Sequence, residues 1–334
     1  MADLALRSPQ FKHKVIPSSG VLSTVCTVAV GGTLRYTLIK NVAPSTSVNF
    51  DISELARDYL DIQYEDDYVA PEVGIVTTLT NRAGLNGTGA VVGTATTFTD
   101  RGFESYGTFD EGVNPSFIGT RTVPTILIAS NNSTSPASFT IFAPTGKQGK
   151  VPFINSASEI ASSSFSTIST SITLGGINVD IKRIDCTKYG TGRRIIFINK
   201  FGAQQDLWFF LKEVKSLGRT NEGFKSNTIT YPTNNNATYS IENAPNKVFN
   251  TQAKQSHVLS SGYYPEFANE FFEQLLLSEF VWMERPKKNN PSSNEVIPVN
   301  VKTSSMTFKT SVNDRLIEYT MNFEEAYDYI NNIR

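Results

Sequence analysis

Residues 195–211 read IIFINKFGAQQDLWFFL, and this stretch decides the fold. Two runs, 195–198 and 207–211, are apolar at every position, with turn-forming residues at 202–206 between them. A strand that covers only one face of a sheet alternates apolar with polar side chains, whereas a strand apolar at consecutive positions needs cover on both faces. The pattern therefore predicts two neighbouring strands, each screened twice, by a second sheet, a helix or a neighbouring subunit.

Outward from this centre the chain keeps reading as strand. Ile177, Val179 and Ile181 alternate with Asn178, Asp180 and Lys182, as in a half-buried strand. Residues 296–301, 305–309 and 315–323 form three further candidates, the last with Ile317, Tyr319, Met321 and Phe323 on one face. One substantial helix is expected at 263–280, with Tyr264, Ala268, Phe272 and Leu276 in one row and Phe267, Phe271 and Leu275 in the next. Pro265 suits its first turn.

In the first half, β-branched runs on either side of Gly31 and Gly32 predict a hairpin. A three-residue loop with a glycine in the left-handed region sets Val30, Val28 and Cys26 against Leu34, Tyr36 and Leu38, which puts one apolar face together. Asp51 and Glu54 stand at capping-box spacing before Leu55, Ala56 and Tyr59, so residues 51–60 read as a short helix. The glycine-rich stretch 84–93 reads as hairpin turns, and 137–142 as a strand. The Pro, Gly and Lys content of PTGKQGKVP, residues 144–152, marks a linker. The expected architecture is mainly β: two β-sandwich-like domains, 1–150 with a long aromatic loop and 151–334 with one packed α-helix. The serine-rich stretch 155–171 is left as an extended linker or an edge strand.

Composition narrows the function. Lys plus Arg total 30 against 31 for Asp plus Glu, so no general basic field exists to draw nucleic acid. A near-neutral chain also repels its own copies weakly. The longest apolar runs fall far short of the roughly 18 residues of a membrane span, and the N-terminus lacks the order of a signal peptide, so a cytoplasmic origin without membrane insertion is expected. Cys26 and Cys186 lie in strand-like sequence in different halves and are expected to be separate, buried thiols.

A search for chemistry finds little. His13 and His257 are the only histidines, and neither stands in a recognisable catalytic pattern. Two histidines and two cysteines spread over the chain give no zinc spacing, and Glu65, Asp66 and Asp67 lack the alternating ligands and glycine of a calcium loop. Residues 84–93 lack the Lys-Ser or Lys-Thr of a phosphate cradle. No catalytic, cofactor-binding or metal residue is therefore assigned, and no cofactor. Asp110 and Glu111 are the first carboxylates to inspect for glycoside chemistry. The candidate interaction residues are Phe103, Tyr106, Phe109 and Phe117 in the long loop, Trp208 and Phe210 in the central strand, and Phe267 and Phe271 on the helix.

The phrases LARDYLDI (55–62), GTFDEGVNP (107–115), FINKFGAQQDLWFFLK (197–212) and PVNVKTSSMTFKTSVNDRLIEYTMNFEEA (298–326) carry a resemblance. At these stretches the chain resembles tail-associated virion structural proteins of tailed bacteriophages of marine and Bacteroidota hosts. The resemblance implies a non-enzymatic tail, baseplate or fibre-attachment component, made in the host cytoplasm and ending in the virion. Its partners would be copies of itself and other tail proteins, and it supplies no catalytic residues. Two alternatives stand beside it: a β module presenting the 103–117 loop to a host-surface glycan or receptor, and a glycan-degrading hydrolase.

Overall fold

The computed structural model describes residues 2–68, 70–107, 125–129, 138–157, 159–185, 192–231, 236–310 and 316–329. Strands account for 52 % and helix for 7 %, so the chain is mainly β.

The N-terminal part holds β1 (Ala2–Ala5), β2 (Phe11–Val15), β3 (Ser23–Val30), β4 (Thr33–Asn41), β5 (Ser47–Asp51), α1 (Ser53–Arg57), β6 (Glu72–Arg82) and β7 (Thr96–Phe103). Five of them form a sheet in the order β1-β7-β6-β3-β4, and β2 pairs with β5 as a separate ribbon. Alternate side chains of β3, Cys26, Val28 and Val30, share one core with Phe50, Ile52 and Ala56 from the ribbon and α1. The Cys26 thiol is buried and free, and burial pushes it up to about 11 against the opposing pull of Lys12 and Lys40. Cys186 lies outside the described residues.

The first hairpin departs from its expected register near the turn. Cys26 faces Leu38 and Val28 faces Tyr36, but Val30 faces Thr33 and Ala29 faces Leu34. The loop is the two-residue Gly31-Gly32, both at positive φ, and the odd residue is taken up by a bulge in β4 at Arg35. The helix expected at 51–60 is shorter, Ser53–Arg57. Asp51 does accept from the Ser53 N–H at 3.0 Å, yet it also ends β5, and Glu104 holds Arg57 at 2.9 Å where the helix stops.

Next come β8 (Ser138–Pro144), β9 (Gly149–Ile154), β10 (Ile160–Phe165), β11 (Ser171–Leu174) and β12 (Ile177–Ile184). PTGKQGKVP is not a linker: its first half is a tight turn, and its second half opens β9, whose partner β10 comes from the serine-rich stretch. β8 runs parallel to β12 and gives Phe139 and Phe142 to the same core as Phe209 and Phe323. The change of core thus falls between Phe103 and Ile126, and a cut at residue 150 would pass through β9. A small cluster that includes Phe103, Leu127, Ile160 and Phe201 joins the two cores.

The remainder comprises β13 (Arg193–Ile198), β14 (Gln204–Phe209), β15 (Glu213–Lys225), β16 (Ile229–Thr230), β17 (Thr238–Tyr239), β18 (Asn246–Ser260), β19 (Tyr264–Pro265), α2 (Asn269–Leu277), β20 (Val281–Pro286), β21 (Asn294–Val301), β22 (Leu316–Ile317) and β23 (Thr320–Glu325). Seven strands pair in the order β14-β13-β20-β21-β23-β18-β15. Between β14 and β15 the chain keeps pairing: Phe210 and Leu211 donate to the carbonyls of Ser261 and Ser260 at 3.0 and 3.2 Å. β14 and β15 are therefore two halves of one bent strand, and the sheet closes on itself as a small barrel filled by side chains.

The central stretch is screened twice, as its pattern requires. Inside the barrel the Phe209 ring lies 5.6 Å from Phe323 and 6.1 Å from Phe272 of α2. Outside, Trp208 lines a small cavity together with Ile128, Phe142, Val151 and Phe165 of the same core. Both covers belong to the same chain. The turn sits at Asn199 to Ala203, not at 202–206, because the Asn199 side chain organises it, accepting from the Phe201 N–H at 3.0 Å and donating to the Leu127 carbonyl at 2.6 Å. Gln204, Gln205 and Asp206 are strand residues whose polar groups are paired internally.

The expected 263–280 helix is only Asn269–Leu277, preceded by a 3₁₀ turn at Glu266–Ala268. Tyr264 and Pro265 are extended because they pair with β22, and the Tyr264 hydroxyl donates to the Trp208 carbonyl at 2.5 Å. Residues 305–309 are not strand, and 315–323 breaks between β22 and β23. At the break, the Tyr319 N–H turns to the Ser261 hydroxyl at 2.9 Å and its own hydroxyl donates to Asn269 at 2.6 Å. No helix among the described residues is long and apolar enough to cross a membrane.

Candidate functional site: the barrel mouth and its ribbon

One end of the barrel is closed by charge. Arg193 donates to Glu213 at 2.6 and 2.8 Å; the Nδ1 and Nε2 atoms of His257 stand 2.8 Å from Glu213 and 3.1 Å from Glu325. Arg285 in turn donates to Glu325 and, at 2.8 Å, to Glu295. Strand alternation places all six side chains on the inner face, level with the first residues of β13 and β21 and the last of β20 and β23. Nitrogen groups and carboxylates alternate, so each buried carboxylate has a hydrogen-bonding nitrogen beside it. With both ring nitrogens engaged and the ring 1 % exposed, His257 ties β15, β18 and β23 together and offers neither nitrogen to a substrate.

The clamp has a pH signature. Burial alone would push the Glu213 carboxyl up, but hydrogen bonds from His257 and Arg193, with the charges of Arg193 and Lys215, outweigh it and hold the group at about 2. A carboxylate depressed in the folded state contributes its stability above its unfolded value, near 4.5, and loses it as pH falls toward about 2. Urea unfolding between about pH 5 and about pH 3 should show stability falling with pH, and Glu213→Gln should remove on the order of 2 kcal/mol of that fall. An identical slope in the variant would contradict the clamp.

Beyond this mouth β15 and β18 continue alone. They are 13 and 15 residues long, and β18 has β23 as its second ladder partner only at Ser256 to Ser260. Farther out the Tyr329 N–H reaches the Ala253 carbonyl at 2.7 Å, and β15 is a free edge. The result is a two-stranded ribbon that carries the short β16–β17 pair at its tip. Phe249 is the extra residue of a bulge between Glu222 and Gly223, and its ring lies 6.1 Å from Phe224. Nine of the 24 large hydrophobic side chains exposed among the described residues belong to it, including Tyr239 at 77 % and Ile241 at 94 %. An isolated two-stranded hairpin is marginal in water, and apolar side chains concentrated on one projection mark a contact surface.

The residues singled out from sequence fall elsewhere. Trp208, Phe210 and Phe271 are buried in the large core and Phe103 in the joining cluster, so all four are scaffold. Phe267 is half exposed beside Phe142, and Tyr106 lies beneath the Arg7 guanidinium, 5.0 Å from its ring centre. Phe109, Phe117, Asp110 and Glu111 lie outside the described residues. Among the described residues no group of three or more His, Cys, Asp or Glu side chains is arranged to hold a metal ion. The ribbon itself was not singled out. Its one sequence signal is TYPTNNNATY at 230–239, a turn-rich centre with long polar flanks on both sides.

No family model, curated protein or solved structure matches this chain.

Proposed function

We propose that this chain is a structural component of a bacteriophage tail, at the tail, baseplate or fibre attachment, and works by assembling with its own copies and with other tail proteins in the virion. The observation that carries this reading is the ribbon: a folded, internally covered body that extends two unsupported strands rich in exposed aromatic and aliphatic side chains. A subunit of this form gains burial when a neighbour receives the projection. The phrase-level resemblance to tail proteins points the same way. The near-neutral charge is compatible with close packing of copies.

The test is to separate particles whose genome encodes the chain into heads and tails and to quantify it by mass spectrometry. The expected result is recovery in the tail fraction at a fixed copy number. Recovery only from the soluble lysate would overturn the reading.

A further inference from the structure

We infer that the ribbon of one copy docks on an acidic strip, residues 54–67, of the next copy, joining subunits head to tail. This deepens the assembly reading and rests on it. The chain is neutral overall, but its charges are segregated. Residues 51–68 contain seven carboxylates and a single cation, Arg57. Glu54, Asp58, Asp61, Glu65, Asp66 and Asp67 are all exposed. Residues 214–260 hold five cations, Lys215, Arg219, Lys225, Lys247 and Lys254, against Glu222 and Glu242.

Most of these charges are unanswered among the described residues. Lys215 and Lys254 lie 3.8 and 3.6 Å from Glu213 and Glu324, and Lys150 lies 3.6 Å from Asp66. Among the described residues no carboxylate is within ion-pair distance of Arg219, Lys225 or Lys247, and no cation is within that distance of Asp61, Glu65 or Asp67.

The strip lies flat on the barrel wall, whereas the ribbon projects past the charged mouth. Ile62, Tyr64 and Tyr68 pin the strip to the outer wall of β13 and β20 through Ile196 and Trp282. The ribbon is rooted on β18 and on β15, the continuation of β14, and leads away from the mouth and from that wall. At ~3.3 Å per residue, β15 spans about 40 Å. That is comparable to the breadth of about 50 Å expected for a chain of this length. The strip that the ribbon meets therefore belongs to another copy. Tyr59 is exposed there and Ile62 and Tyr64 are half-buried, so the strip also offers apolar contact to Phe224 and Phe249.

Edge-to-edge pairing of two ribbons is the competing arrangement, and charge opposes it. Lys215, Arg219 and Lys225 stand along the free strand β15, and cations on an edge are a means by which sheets block such pairing. The same cations are attracted by the strip. A contact between two different surfaces of one chain closes a ring or continues as a filament.

The test uses the full chain in sedimentation velocity. Arg219→Glu, Lys225→Glu and Lys247→Glu together reverse the ribbon, and Asp61→Lys, Glu65→Lys and Asp67→Lys together reverse the strip. Each triple variant should melt as the parent does but weaken self-association at least about 100-fold. The chain carrying all six changes, and an equimolar mixture of the two triple variants, should recover it. Parent association should weaken about tenfold or more between ~0.05 M and ~0.5 M salt. A parent that stays monomeric at low salt, or a mixture and a six-fold variant that fail to associate, would overturn the docking. Association that survives both reversals but is lost on excising the ribbon would overturn the strip as the acceptor and leave the assembly reading standing.

Discussion

Phe272→Ala is expected to lower folding stability by about 3–5 kcal/mol, the cost of emptying a fully buried aromatic site. Phe272 is 0 % exposed, and its ring lies 5.0 Å from Tyr319, 5.4 Å from Tyr264 and 6.1 Å from Phe209. Those three neighbours come from β14, β19 and the break between β22 and β23, so no single side-chain movement fills the space. In the 3₁₀ turn that leads into this helix Phe267 is 47 % exposed, and Phe267→Ala should cost only about 1 kcal/mol, because much of its ring is already in water. Urea unfolding of both variants checks the pair. Equal losses would mean that α2 presents a different face to the barrel.

The stretch 195–211 was legible because demand for cover on two faces is a local property of side chains. Whether that cover came from a helix, a second sheet or another subunit was not legible, since Phe272, Phe323, Val151 and Phe165 are distant in sequence. The turn was misplaced for a related reason: Gln204, Gln205 and Asp206 look like loop residues until Asn199, Arg194 and Tyr68 are folded against them. Tyr264 and Pro265 continue the helical row by spacing, and only the long-range pairing with Leu316 and Ile317 draws them into a strand.

The proposed interaction surface was the least legible part. A ribbon exposed on both faces needs no apolar alternation, so β15 carries no strand signal of period two. Buried aromatics such as Trp208 and Phe210 attract attention in a sequence, yet their burial commits them to the scaffold. His257 reads as isolated along the chain because Glu213 and Glu325 lie 44 and 68 residues away. Segregation of charge between 51–68 and 214–260 was present in the sequence, but it became meaningful only once the fold set one on the barrel wall and the other on a projecting ribbon.

Excising the ribbon is expected to abolish assembly while sparing the fold. Thr220 and Gln252 face each other across β15 and β18, so an Asn-Gly pair in place of residues 221–251 closes the hairpin with a favoured two-residue turn. The cut keeps Glu213, His257 and the Ala253 carbonyl that receives Tyr329, so the charged mouth and the barrel stay intact. It removes Phe224, Tyr239, Ile241 and Phe249, whose exposure leaves roughly 1.5–3 kcal/mol of burial per large side chain unrealised in the free chain. The most direct measurement is to compare the parent and the excised chain by thermal melting and by incorporation into tails. An unchanged melting temperature together with loss of incorporation is the predicted result; normal incorporation of the excised chain would show that copies meet through another surface.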